Sequence, residues 1–184
     1  MSRTLRSLLG ISGLLLLVAC GNGEPESASA TAANSEARSG GKSDALANLG
    51  AAPKWELTRV DGGKLSSEEL KGKVVVLDFW ATWCPPCRAE IPGYVEMQKQ
   101  YEDQGLVIVG VSLDQGGPKV VKDFAKKFGI NYPLVMGDQG IVSAFGDIQA
   151  IPTTFLIDRD GQIRHRKVGA MHRDEYEPII KAAL

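Results

Sequence analysis

The sequence is poor in the residues that most metal sites and disulfide scaffolds require. It holds two histidines, His165 and His172, and three cysteines, Cys20, Cys84 and Cys87. A structural zinc site takes four ligands, commonly two close cysteine pairs or one pair with histidines. With no second pair, the sequence argues against such a site, and no metal ligands are assigned. Structural disulfides of secreted proteins usually close long loops, whereas Cys84 and Cys87 enclose only Pro85 and Pro86. Strong charge of either sign is missing too: the formal net charge is −1. That excludes the basic footprint expected for nucleic-acid binding. No apolar run approaches the ~20 residues of a membrane-spanning helix; the longest, Leu8 to Val18, stops well short. There is no internal repeat. What is present is chain enough for one domain of the usual ~100–150 residues.

The N-terminus reads as an address. Arg3 and Arg6 precede the Leu8–Val18 run, the order found in secretory signal peptides. The run ends in Leu17-Val18-Ala19-Cys20-Gly21, which resembles the bacterial lipobox. That resemblance implies that residues 1–19 are removed and that Cys20 is lipidated. Several acyl chains anchor a protein to a bilayer stably, where one holds it only marginally. It also accounts for the odd cysteine; the alternative is an ordinary signal peptide with Cys20 incidental. Gly21 rather than Asp favours outer-membrane sorting in a Gram-negative cell. Residues 20–50, rich in Gly, Ser, Ala, Asn and Glu without hydrophobic periodicity, are expected to form a flexible tether, since such composition cannot offset the entropy of ordering. A coil of ~30 residues reaches about 30 Å.

From residue 51 to 184 the pattern is that of a folded α/β domain. Trp55–Val60 alternates as a half-buried strand does, and Asp61-Gly62-Gly63 is a turn signal. Ser66 ahead of Ser67-Glu68-Glu69 predicts a capped short helix. Val74–Trp80 is an apolar β-branched run suited to a central strand. Pro85–Tyr101 predicts a helix, interrupted or kinked at Pro92. Leu106–Leu113 predicts a second buried strand. Lys119–Phe128 has helical spacing and ends at Gly129, and Gln139–Phe145 suits a short helix. Thr153–Ile157 and Gln162–Val168 predict a hairpin across Asp158–Gly161, and a helix from His172 closes the chain in spite of Pro178. This order joins a parallel unit to an antiparallel one. The basic run Arg164-His165-Arg166-Lys167 fits a charged strand edge.

The chemistry concentrates in Phe79-Trp80-Ala81-Thr82-Trp83-Cys84-Pro85-Pro86-Cys87. Here a strand runs into a helix and two cysteines straddle the helix start. Unpaired N–H groups and the helix dipole favour a thiolate at that position, and the thiolate is the attacking species in disulfide exchange. Cys87, one turn later, is within reach of a mixed disulfide formed on Cys84. Pro85 suits the first turn because its missing donor would be unpaired anyway. Two inert core cysteines would be the bland alternative; a strand-to-helix turn is a poor setting for them.

Trp83-Cys84-Pro85-Pro86-Cys87, with Asp78-Phe79-Trp80-Ala81 before it, resembles the thioredoxin superfamily. Cys87-Arg88-Ala89-Glu90-Ile91-Pro92 and Ile151-Pro152-Thr153-Thr154-Phe155-Leu156-Ile157-Asp158 narrow the resemblance to the TlpA/ResA-like branch. It implies a thioredoxin fold, a central mixed β-sheet flanked by helices, with an extra N-terminal strand pair and an insertion near Asp114–Met136. It implies Cys84 as nucleophile, Cys87 as resolving thiol, and Pro152 as a cis-proline whose neighbour Ile151 pairs with an extended substrate. Trp83, Pro85 and Pro86 would line the substrate groove, while Trp80 lies in the core. Glu90 matches a carboxylate that modulates cysteine ionisation. Asp78 departs from the branch, which commonly carries Asn there, and matches the buried Asp of thioredoxins instead. For both acids a plain structural or solvated role is the alternative.

The expected activity is thiol-disulfide exchange outside the cytoplasm, at a bacterial membrane. The protein would act as a monomeric reductant of envelope protein disulfides such as those of apocytochrome c. A membrane thiol donor would re-reduce it, and no cofactor is needed beyond the Cys84–Cys87 pair. An oxidant or isomerase is the alternative, disfavoured because Pro85-Pro86 places no cation in the motif. A copper-delivering protein would space its cysteines by three, and a peroxidase would show a different pattern around a single attacking Cys.

Overall fold

The computed structural model describes residues 46–184. The expected signal peptide, Cys20 and most of the expected tether lie outside the described residues. Eleven elements follow in order: strands β1 (Glu56–Thr58), β2 (Lys64–Ser66) and β3 (Val74–Trp80), helix α1 (Pro85–Tyr101), β4 (Leu106–Ser112), α2 (Pro118–Phe128), β5 (Leu134–Met136), α3 (Gln139–Ala144), β6 (Thr153–Ile157), β7 (Ile163–Val168) and α4 (Arg173–Ala183). A single 3-10 turn, Glu102–Gln104, ends α1.

β3 is apolar at every position but Asp78 and is buried along its whole length, as a strand covered on both faces must be. It is the centre of a five-stranded sheet of order β5-β4-β3-β6-β7. β4 runs parallel to β3 and β5 parallel to β4, while β6 is antiparallel to β3 and β7 to β6. The strand period of two sends alternate side chains to opposite faces. Val74, Val76 and Trp80 meet α1, α2 and α4 through Ile91, Val121 and Tyr176. Val75, Leu77 and Phe79 meet β1, β2 and α3 through Leu57, Leu65 and Ile141. This is the mixed sheet flanked by helices that the sequence predicts.

Three local readings need adjustment. The segment after Ser66 forms turns rather than a short helix, with Leu70 N–H bonded to Ser67 O and Lys71 N–H to Glu68 O. Glu69 still accepts the Ser66 N–H and hydroxyl at 2.9 and 2.8 Å, but Gly72 at φ 76° turns the chain into β3 before a helix can propagate. β5, too short for a periodic signal, lies between Pro133 and Gly137 in the expected insertion. Helix α1 is not interrupted at Pro92, while α4 closes the chain through Pro178 as the sequence predicts. The pairing also reaches back ahead of residue 51: Leu49 N–H bonds Ile163 O and Ile163 N–H bonds Gly50 O, both at 2.8 Å.

Candidate active site

The C-terminal end of β3 delivers the chain to the start of α1, and Cys84 is the N-cap of that helix. Cys87 N–H points to Cys84 Sγ at 3.3 Å, and Pro85 and Pro86 occupy the first helical positions. The cap therefore uses a sulfur where Ser, Thr or Asp oxygen is usual. Cys84 and Cys87 are joined as a disulfide, with Cα atoms 5.4 Å apart. Both residues are nearly buried, at 3% and 2% exposure, so a partner reaches them only over the rim of the site. That rim carries Trp83, 64% exposed, and the exposed Pro85 and Pro86. Across from it, the Ile151–Pro152 peptide bond is cis, and the Ile151 carbonyl lies 3.9 Å from Cys84 Sγ. Trp80 is core, its ring 5.5 Å from that of Phe124.

Behind the cysteines sit two buried acids. Asp78 is placed by strand alternation on the α1 face of β3, opposite Thr154 in the antiparallel register. Thr154 Oγ1 donates to Asp78 Oδ1 at 3.0 Å and lies 3.4 Å from the Tyr94 hydroxyl. Burial, with the nearby charge of Glu90, drives the Asp78 carboxyl well above the ordinary range, and the Thr154 hydroxyl opposes this. Glu90, on the second turn of α1, is 8% exposed. Its Oε1 accepts the Met171 N–H at 2.8 Å, while Oε2 is buried without a partner. Burial pushes Glu90 up to about 7, against the lowering effects of that N–H and of Lys167. It lines a cavity of ≈ 190 Å³ with Tyr94, Met171, His172, Arg173 and Tyr176.

The fold thus gathers Cys84, Cys87, Asp78, Glu90, Ile151 and Pro152 at one end of the sheet. Sequence reasoning missed Thr154 and the Met171 N–H, which bond the acids from β6 and the loop before α4, and Tyr94 of α1, whose hydroxyl lies against Thr154. It also missed Asp114, which accepts bonds from the loop carrying Thr82. The Thr153-Thr154 pair within the proline segment was the one available signal. The basic run lies on β7, an edge strand. Arg164 lies 3.5 Å from Asp158, and Arg166 covers the Phe155 ring at 5.6 Å. Among the described residues, no three His, Cys, Asp or Glu side chains converge as a metal would require.

An acid-backed dithiol of this kind can exchange electrons as a disulfide is made or broken, and known proteins with matching sequences carry names of that chemistry. Residues 50–166 match the AhpC/TSA family. The chain is 34% identical over 131 residues to the thiol-disulfide oxidoreductase ResA of Bacillus thuringiensis, spanning 71% of this chain and 75% of that protein. It is 36% identical over 127 residues to the thioredoxin-like protein YneN of Bacillus subtilis, 68% of this chain and 74% of the relative. Among solved structures, a thiol:disulfide interchange protein of the thioredoxin family from Chlorobium tepidum superposes with a TM-score of 0.68 at 38% identity. That superposition covers 74% of this chain and 97% of the other. Fold, architecture of the cysteine-bearing end and shared sequence agree, and the chain belongs to the ResA-like thiol-disulfide oxidoreductases, thioredoxin-fold enzymes within the AhpC/TSA family.

Proposed function

We propose that this oxidoreductase works as a reductant of extracytoplasmic protein disulfides, with Cys84 and Cys87 as its redox pair. The observation that carries the direction is the charge environment of the pair. Two buried acids, Asp78 and Glu90, stand behind it, and the motif itself contributes only Pro85 and Pro86 between the cysteines. Oxidants favour their reduced form by stabilising a thiolate, and cations do that. A motif without a cation, backed by acids, favours the disulfide and hence electron donation.

In the forward reaction the Cys84 thiolate attacks one sulfur of a substrate disulfide. A mixed disulfide forms and the other substrate sulfur leaves as a thiolate that takes a proton. Cys87 then loses its proton to the deprotonated carboxyl of Asp78, with Glu90 exchanging that proton onward through its cavity. The Cys87 thiolate attacks Cys84 Sγ, which forms the Cys84–Cys87 disulfide and releases the second substrate thiolate. The two electrons come from the dithiol, so no cofactor is needed. Ile151 offers backbone to an extended substrate segment, beside Pro152, while Trp83, Pro85 and Pro86 form the facing rim. Re-reduction falls to a membrane thiol donor, and apocytochrome c is a candidate substrate by family resemblance. A lipidated Cys20, with residues 20–50 as tether, would hold the monomeric enzyme at the periplasmic face of a bacterial membrane, the outer membrane in a Gram-negative cell.

The deciding measurement is the reduction potential of the pair, by thiol labelling of the full chain across redox buffers. A value near or below about −230 mV supports the reductant; a value near about −120 mV reverses the assignment to an oxidant. Membrane anchoring is tested separately: Cys20→Ala should release the protein from the membrane fraction.

A further inference from the structure

We propose that the chain from Ser112 to Phe128 is a two-point clamp that holds the redox motif from both ends and thereby sets the stability of its disulfide. This rests on the reading of Cys84 and Cys87 as the redox pair.

The first point is Asp114, which follows the end of β4 and is 9% exposed. Its side-chain oxygens accept the Thr82 N–H at 2.9 Å and the Thr82 hydroxyl at 2.6 Å. They also accept the Ser112 hydroxyl at 2.8 Å, and Ser112 Oγ in turn accepts the Asp114 N–H at 3.1 Å. A buried acidic side chain with three donors is held in one orientation, and so is whatever supplies the donors. Two of them come from Thr82, in the loop that leads into Cys84. Asp114 caps no helix: the N-cap of α2 is Gly117, without a side-chain bond. Its bonds are spent on the motif loop and on its own strand end.

The second point lies just beyond Cys87. Arg88, in the first turn of α1, places its guanidinium 5.8 Å from the Phe124 ring centroid and 5.4 Å from that of Phe128. Those rings stack on each other at 4.2 Å, and Phe124 also packs on Trp80 at the end of β3. Guanidinium groups favour such aromatic faces. One continuous piece of chain therefore touches the motif on the near side of Cys84 and on the far side of Cys87.

Restraining both flanks lowers the entropy lost when the two thiols close into a ring, which raises the effective concentration of one thiol at the other. A loosened clamp leaves the cysteines in place but makes the disulfide easier to reduce. Asp114, Thr82 and Arg88 are positioning residues in this scheme; none of them touches a sulfur in the exchange.

The test is the disulfide–dithiol equilibrium of the full chain against glutathione, read by thiol labelling, with circular dichroism to follow the fold. The variants are Thr82→Val, Asp114→Asn, Asp114→Ala and Arg88→Ala. Leu65→Ala, in the β1–β2 hairpin, serves as a control that weakens the fold away from the motif. The clamp predicts an equilibrium constant lowered about threefold for Thr82→Val, Asp114→Asn and Arg88→Ala. For Asp114→Ala it predicts about tenfold, equal to about 30 mV. Leu65→Ala should lose stability yet keep the parent constant. Should Asp114→Ala not fold, the near-isosteric Thr82→Val and the exposed Arg88→Ala decide the matter. A reversible disulfide in the parent with the same constant in those two variants overturns the clamp alone. No reversible disulfide in the parent overturns the redox pair and the clamp with it.

Discussion

The two ends of the sheet differ in a way that cavity size does not reveal. At the end away from the cysteines, a cavity of ≈ 350 Å³ lies between Ala51–Trp55, Leu70, Val75 and the Asp158–Gln162 turn. Its charged rim is exposed and internally paired: Lys54 meets Glu68 at 3.1 Å, and Lys71 also pairs with Glu68. The cavity at the cysteine end is smaller, ≈ 190 Å³, but it is walled by groups whose needs are unmet. Glu90 Oε2 and the Tyr176 hydroxyl are buried without partners; at the same end of the sheet, outside the cavity wall, Asp78 is buried with a single donor, Thr154. Burying an acid without full compensation is costly. A fold that retains two such acids beside a dithiol gains something other than stability from them. The larger cavity has no such cost, so volume alone is a poor guide to where the chemistry lies.

Asp78 gives the sharpest way to break this contrast. Asp78→Asn keeps the shape and a hydrogen-bonding oxygen but removes the proton acceptor. Exchange with a model disulfide should slow by about 10²-fold, the lower part of the range for lost general-base catalysis. Because burial raises the Asp78 carboxyl, its deprotonated form grows with pH, and the parent rate should climb as that form appears. The variant should lose this climb. It should also be the more stable protein at neutral and alkaline pH. A carboxyl whose folded pKa is raised contributes stability below its unfolded pKa, and that contribution is lost as pH rises through the folded value. A variant as fast as the parent with the same pH profile would remove Asp78 from the proton path.

Thr154→Val acts on the same acid from the other side. It removes the hydroxyl that donates to Asp78 at 3.0 Å at nearly constant volume. Leaving a buried acceptor unpaired costs about 1–3 kcal/mol, measurable as a lower denaturant midpoint. Since that hydroxyl opposes the upward shift, its loss should move the rising limb of the rate profile to higher pH. Stability lost with no movement of the profile would make Thr154 purely structural.

How much of this was visible in the sequence follows from how local each signal is. β3, α1 and β6 were legible because an apolar run, a proline-started helix and the Ile151-Pro152 segment each declare themselves within a few residues. Cys84, Cys87, Asp78 and Glu90 stand at fixed offsets on two adjoining elements, so their convergence could be anticipated from β3 running into α1. β5, with three residues, has no period to read; Arg59 and Val60 pair with it at its edge. Glu69 bonding back to Ser66 was a true local signal, but the chain turned at Gly72 before it could seed a helix. Thr154, the Met171 N–H and Asp114 reach the site from elements distant in sequence, and Tyr94, though on α1 itself, meets the site through Thr154 of β6. A lone tyrosine or aspartate carries no mark of that, because its role exists only once register and packing bring it to the partner.

Glu90→Gln sharpens the contrast at its midpoint. Glu90 has an ordinary value of 4.5 and a folded value of about 7. The parent should therefore lose stability as pH rises through that interval, and the loss should be complete above it. The glutamine variant still offers an oxygen to Met171 N–H, so its urea midpoint should stay flat across the same interval and exceed the parent's at pH 8. Identical pH dependence in both proteins would mean that Glu90 titrates as an exposed acid and that its cavity is open to water.

The smallest effect belongs to the far end, and it is what the contrast needs as its baseline. Glu68 joins Lys54 and Lys71 on an exposed rim, and the two lysines hold its carboxyl below the ordinary range. Exposed pairs of this sort contribute little, because solvent screens them and holding long side chains costs entropy. Glu68→Gln should leave both the exchange rate and its pH profile unchanged, with no measurable change in thermal midpoint. The substitution sits on the wall of the larger cavity, so a fall in rate would connect that cavity to the reaction and undo the division between the two ends. An unchanged rate, set beside a slow Asp78→Asn, would place the proton chemistry at the end where buried groups are left unpaired.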